Sequence, residues 1–209
     1  MSRTSAPPPE PTPFRTLEDI RKQRRGPGLS AEDWADAALW SLADGVEALS
    51  VERLARRLGV TKGGFYWHFK DRAELLQTAL ARWEHLATTE VITRLEALPD
   101  PRERLHQLLA LTFEPDPRGK IEVAIVAGAA SDPSIQPVLA RVSRRRIDYL
   151  VKLYRALGLP AREARNWAVQ AYSTYVGLLH LAISSPDTLG TGRARADYVK
   201  HIARTLMPE

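Results

Sequence analysis

Cysteine is absent from the 209 residues. That excludes disulfides, thiolate metal sites and a cysteine nucleophile, and it fits a cytoplasmic protein. Long hydrophobic runs are lacking as well. No stretch approaches the ~20 apolar residues needed to span a bilayer, so no membrane partner is expected. The N-terminus is proline-rich rather than apolar, so it does not read as a secretory signal. Strand-like alternation and internal repeats are missing, which leaves an all-α chain. Catalytic signatures are missing too. There is no nucleophile elbow, no His-Glu-x-x-His and no phosphate-cradling glycine loop; Leu189-Gly190-Thr191-Gly192 is too short and follows no strand. No His/carboxylate cluster has metal-site spacing. An enzyme, a metal site and a cofactor are therefore not expected.

What is present begins with a basic excess of +5, which by itself says little about partners. Its distribution says more. From Ser50 to Lys70 the cations Arg53, Arg56, Arg57, Lys62 and Lys70 face Glu52 alone, whereas the preceding helical stretch carries Glu32, Asp33, Asp36 and Asp44. Positive charge is concentrated on one segment, as nucleic-acid binding requires. Arg53, Arg56 and Arg57 suit phosphate contact, and they equally suit a solvated helix face.

That segment spells two short helices and a tight turn. Ser50 can cap the first helix, and Val51, Leu54, Ala55 and Leu58 form its apolar stripe. Gly59 supplies the left-handed exit, Val60 plugs the turn and Thr61 caps a second helix reaching Phe69. This predicts a helix-turn-helix over 50–69, whose second helix offers Lys62, Tyr66, Trp67 and His68 to a DNA groove.

Gly45 to Ser50, Leu54-Ala55, Leu58-Gly59-Val60, Phe65-Tyr66-Trp67-His68-Phe69 and Glu74-Leu75-Leu76 together resemble the DNA-binding domain of the TetR family of bacterial transcriptional regulators. The Tyr-Trp-His run is similar to the recognition helix of the tetracycline repressor. The resemblance covers roughly Leu29 to Arg82. It implies an operator-binding homodimer, most simply a repressor released by a small molecule. The competing readings are a helical adaptor that binds only protein and, last, an enzyme.

The expected DNA-binding residues are Ser50, Thr61, Lys62, Gly63, Gly64, Tyr66, Trp67, His68 and Lys70. Thr61 and nearby N–H groups can hold a phosphate. Lys62 sits in a first turn, where a cation opposes the helix dipole and a phosphate would relieve it. Tyr66 and Lys70 match family positions on the DNA backbone, and Trp67 and His68 match positions on bases or backbone. Trp67 can alternatively pack on the preceding helix, and His68 can bond a neighbouring carbonyl. Gly63-Gly64 departs from the family pattern, because position 64 often carries a side chain. Two glycines weaken a helix but let its backbone approach DNA closely.

The rest of the chain reads in order. Residues 1–29 are expected to be a flexible basic arm, disordered to Pro13 and then briefly helical from a Thr16-to-Asp19 capping box to about Arg25. Such an arm can reach into a minor groove or simply be solvated. Residues 30–88 form the DNA-binding domain, with Trp34 and Trp40 in its core. A long helix from Asp71 to about Leu98 would join it mechanically to a helical ligand-binding and dimerisation domain at 89–209, and could act as a lever. That domain should contain helices over 102–113, 121–131, 134–157, 161–184 and 193–206, about nine helices in all after the arm. The segment 121–131 is nearly all apolar and should be buried. One of Arg144, Arg145 and Arg146 should point inward.

The resemblance implies a small-molecule pocket in the second domain. Its candidate lining is Trp83, Phe113, Glu122, Tyr149, Trp167, Tyr172, Tyr175 and His180; plain core is the simpler reading for all but Glu122, which can also be a helix-capping charge. Val176 to Ile183 is apolar all round except for His180, so it must be covered on every side. A second subunit is the economical cover, and Gly177, Leu178 and Leu181 are the expected interface.

Overall fold

The computed structural model describes residues 15–23, 28–113 and 118–208, without the side chains of Gln23 and Phe113. The expected disorder to Pro13, and Arg24 and Arg25, lie outside the described residues. All regular structure among the described residues is helical. The helices are α1 (Leu17–Gln23), α2 (Ala31–Leu42), α3 (Val51–Leu58), α4 (Lys62–Tyr66), α5 (Arg72–Glu84), α6 (Glu90–Glu96), α7 (Pro101–Phe113), α8 (Gly119–Gly128), α9 (Gln136–Ala156), α10 (Ala161–Ser184) and α11 (Gly192–Thr205). A π-helical turn, His85–Thr89, joins α5 to α6, so the expected long helix is present with one widened turn. Counting that stretch once, nine α-helical stretches follow α1 among the described residues.

The chain forms two compact units. The first contains Pro13–Ala87 and Asp116–Val142; the second contains Thr88–Pro115 and Ser143–Glu209. The sequence reading sets off an arm at 1–29 and places the boundary between the two domains at 88/89. The structure instead groups α8 and the start of α9 with the helix-turn-helix. The reason is apolar: Ile121, Ile125, Ile135, Val138 and Val142 are buried in one cluster with Trp34, Leu39, Val46, Leu75 and Trp83. Gly128 permits this packing, since a Cβ there would overlap Val46 Cγ2. The segment 121–131 is only half buried, with Ile121 and Ile125 inside and Val126 45% exposed.

Within the first unit, local chemistry sets each helix end. Ser30 and Asp33 make a reciprocal capping box on α2. Ser50 Oγ accepts from Arg53 N at 3.3 Å to start α3, and Gly59 leaves it at φ 68°, a left-handed conformation that favours glycine. Asp71 Oδ1 accepts from Glu74 N at 2.9 Å to start α5. Arg72 then reaches back, donating to Leu49 O (2.8 Å) and Val46 O (2.6 Å), which fixes α5 against the entry to α3.

The arm is the largest departure from expectation within this unit. Residues 15–23 are docked rather than free. Thr16 and Asp19 cap each other, and Ile20 is 1% exposed in the core. Trp40 Nε1 donates to Arg15 O at 3.0 Å. Arg15 bonds Asp36 (3.1 Å) and Asp33 (2.8 Å). Asp36 is fully buried and also receives Arg82 from α5. A buried carboxylate is costly unless paired, and two guanidinium groups pair this one.

The second unit packs α6, α7, the rest of α9, α10 and α11 around Leu105, Leu109, Leu153, Tyr154, Ala164 and Ala168. Tyr154 OH donates to Leu206 O at 2.8 Å, tying α9 to the end of α11.

Candidate nucleic-acid interface

The interface candidate is α4, a five-residue helix that could not persist alone. Phe65 and Phe69 hold it, with rings 5.4 Å apart and nearly parallel. Phe65 meets Trp34 edge-on at 5.5 Å and has no exposed surface. Burying such a ring contributes about 1.5–3 kcal/mol, enough to offset two helical glycines at ~1 kcal/mol each. The expected helix to Phe69 ends at Tyr66, and His68 N and Phe69 N both donate to Phe65 O in a closing turn.

Anchoring Phe65 and Phe69 inward turns the intervening residues outward. Tyr66 is 63% and Trp67 88% exposed, so Trp67 does not pack on α2. His68 instead makes the carbonyl contact, with Nε2 2.7 Å from Leu29 O. That bond orients the ring and uses its Nε2. Thr61 precedes α4 in extended conformation but makes no side-chain cap bond, so its hydroxyl is available. Gly64 has no atom within 4 Å of a built Cβ, and Gly63 has only Thr61 Oγ1 at 3.7 Å. The α4 backbone is thus open to a close partner. Lys70 is exposed, with its N–H donating to Glu74 Oε2 at 2.7 Å. Ser50 is committed to its cap.

Lys62 carries a contact that the sequence reading missed. Its Nζ lies 2.5 Å from Glu52 Oε1. The Lys62 hydrogen bond holds the Glu52 carboxyl below the usual carboxylate range. The signal was present: a lone acid in a basic segment, on the α3 face beside the turn. The Arg15–Asp36–Arg82 cluster was also missed, because its members are 21 and 46 residues apart.

The candidate ligand residues are not all brought together. Trp83 (2% exposed) and Glu122 (5%) belong to the first unit. Tyr149, Trp167, Tyr172 and Tyr175 share the second unit's apolar cluster. His180 is exposed, and the Phe113 side chain lies outside the described residues. Of the arginine trio, Arg146 turns inward. It donates to Thr88 Oγ1 at 2.9 Å and sits 5.8 Å from the centre of the Tyr175 ring. Tyr172 OH lies 2.9 Å from Ser143 Oγ. Tyr149 and Tyr154 are buried, which pushes both phenols well above their ordinary range.

On α10 the expected all-round burial does not occur in one chain. Gly177 is exposed with open space at its Cβ position, Leu178 and Leu181 are half-buried, and Ile183 is 47% exposed. An apolar face of α10 is thus left partly exposed in the single chain.

Among the described residues no helix is long and apolar enough to cross a membrane, and no group of three or more metal-ligating side chains is clustered.

Comparison with known proteins agrees with this geometry. The family described as "Bacterial regulatory proteins, tetR family" matches residues 36–79, from within α2 to α5. The HTH-type transcriptional regulator SrpR of Pseudomonas putida is 28% identical over 121 residues, 57% of this chain and 57% of that protein. The match thus spans little more than half of that relative. A transcriptional regulator from Rhodococcus sp. Rha1 has a similar fold, with TM-score 0.68 and 24% identity over 85% of this chain and 94% of that one. So does AibR, solved with isovaleryl coenzyme A and operator DNA, with TM-score 0.63 and 18% identity over 85% of this chain and 98% of that one. SrpR and the Rhodococcus protein are both described as transcriptional regulators. The helix-turn-helix thus lies inside a segment that matches the tetR family of bacterial regulatory proteins, and the fold across the rest of the chain is similar to that of the Rhodococcus protein and AibR.

Proposed function

We propose that this protein is a homodimeric transcriptional repressor that binds a palindromic DNA operator through α4 and releases it when a small molecule binds the second unit. The observation that carries the reading is the exposure of Tyr66 and Trp67 on a helix otherwise pinned by Phe65 and Phe69. Large aromatics left in water beside an open glycine backbone and a row of cations suit a groove, where they meet bases and sugars. Direct readout falls to Trp67, Tyr66 and Lys62; His68 acts by fixing the turn through Leu29.

The dimer follows from α10. Gly177, Leu178 and Leu181 are the proposed contact with a second copy, whose equivalent helix would cover the apolar surface. The effector site is proposed among Trp167, Tyr172, Tyr175 and Tyr149, with Arg146 over Tyr175 as its cation. AibR, which shares the fold, was solved with an acyl coenzyme A and operator DNA, a precedent for the two activities in one protein.

Selection of bound sequences from a random DNA pool tests the reading. A palindromic consensus is expected. Recovery of no sequence preference would overturn it.

A further inference from the structure

We propose that α1 is a built part of the DNA-binding surface: with α3 it forms a cationic groove that grips the phosphate backbone flanking the sequence read by α4. The proposal rests on the reading of α4 and extends the footprint beyond it.

The groove is an open surface depression of about 950 Å³ lined by Leu17, Glu18, Arg21 and Lys22 of α1 and by Arg56 and Arg57 of α3. Four cations face one carboxylate. That carboxylate, Glu18, is already paired to Lys22 at 2.6 Å. Among the described residues, neither Arg21, Arg56 nor Arg57 has a carboxylate partner. Like charges gathered on two packed elements repel one another, and among the described residues Glu18 is the one carboxylate lining the groove with them. A polyanion compensates them.

Two further observations make this more than a solvated face. The first is that α1 is fixed in place. A seven-residue helix has no stability of its own, yet this one is capped at Thr16, anchored by Ile20 and tied through Arg15 to the buried Asp36. The fixed arm presents Arg21 and Lys22 beside α3 without the ordering cost a loose tail would incur on binding. The second is continuity with α4. Arg56 lies one turn beyond Glu52 on the same face of α3, and Glu52 touches Lys62 at the start of α4. The groove cation Arg56 thus shares a helix face with the residue that touches the start of α4, Glu52 standing between Lys62 and Arg56. Arginine forks suit phosphate oxygens. Polyanionic DNA continuing past the half-site is the occupant this groove fits.

The test compares the full chain with Arg21→Ala/Lys22→Ala and Arg56→Ala/Arg57→Ala variants on the selected operator, with hydroxyl-radical footprinting and affinity measured across a salt series. All four side chains are exposed, and helical content by circular dichroism checks each variant's fold. Each pair should lower the salt slope by about two, erase protection outside the α4 half-site and leave the base preference unchanged. Replacement of Arg21, Arg56 and Arg57 by lysine should retain most of the slope. Unchanged slope and footprint in both double variants would overturn the groove while leaving the α4 reading intact. A shifted base preference would overturn it too, since the groove would then be reading sequence. If the parent binds no DNA, both readings fall together.

Discussion

Lys62 Nζ lies 2.5 Å from Glu52 Oε1, so the first cation of the recognition helix is held by the helix before it. Both side chains are more than half exposed, and exposed pairs exchange partners readily. The pair balances a charge that opposes the α4 dipole until a phosphate replaces the carboxylate. Lys62→Ala should weaken operator and random DNA alike and lower the salt slope by about one. Glu52→Gln should strengthen both. The pH sign follows from the depressed Glu52 carboxyl: the pair is intact above that low value and is lost as pH falls through it. Titration of Glu52 should therefore add no pH dependence to affinity near neutrality. A Lys62 variant with an unchanged salt slope would remove it from the interface.

Leu178→Arg or Gly177→Leu should dissociate the dimer, because α10 would meet its copy with a charge or an added side chain where open space now lies. Light scattering reads the mass. A dimeric mass in both variants would place the interface elsewhere. The operator selected by the parent should carry half-sites about 34–36 Å apart or a multiple of that.

Gly64→Ala separates stability from binding. A Cβ at that position meets nothing in the free protein, so alanine should stabilise α4 by up to ~1 kcal/mol. The same Cβ would intrude on DNA approaching the α4 backbone. A raised thermal midpoint together with weaker operator binding is expected; equal or tighter binding would contradict the close approach.

Alkaline pH should destabilise the second unit. Burial raises the phenols of Tyr149 and Tyr154 above their ordinary value of 10.0 in the folded chain. The unfolded chain ionises first as pH rises, so their contribution is complete below about pH 10 and declines above it. The denaturation midpoint should fall between about pH 9 and about pH 11. Tyr154→Phe should lessen that fall while costing the bond to Leu206.

Effector and operator should oppose each other reciprocally. Whatever factor a ligand takes from operator affinity, operator must take from ligand affinity, with a coupling of about 1–3 kcal/mol. Titration of an effector in the presence and absence of operator reads both. Equal affinities in the two titrations would leave a regulator governed by its own abundance. Arg146→Ala should weaken an anionic effector and leave operator binding by the ligand-free protein unchanged.

Local pattern alone determined the helices, their order and most of their ends. Ser30, Ser50 and Asp71 cap the helices they precede, and Gly59 turns the chain where its freedom is needed, because these effects act within a few residues. The inward set of Phe65 and Phe69 was legible for the same reason: one helical turn separates them. Tertiary structure decided what depends on distant partners. The arm is docked because Arg15 finds Asp36 and Arg82, and no local pattern announces a salt bridge spanning 46 residues. His68 is held to Leu29 across 39 residues, a partner that no local pattern announces. The apolar segment of α8 divides between core and solvent because Val46 and Ile135 meet only one of its faces. Periodicity shows that a face is apolar; which surface covers it is settled by packing, where burial and pairing must be satisfied together.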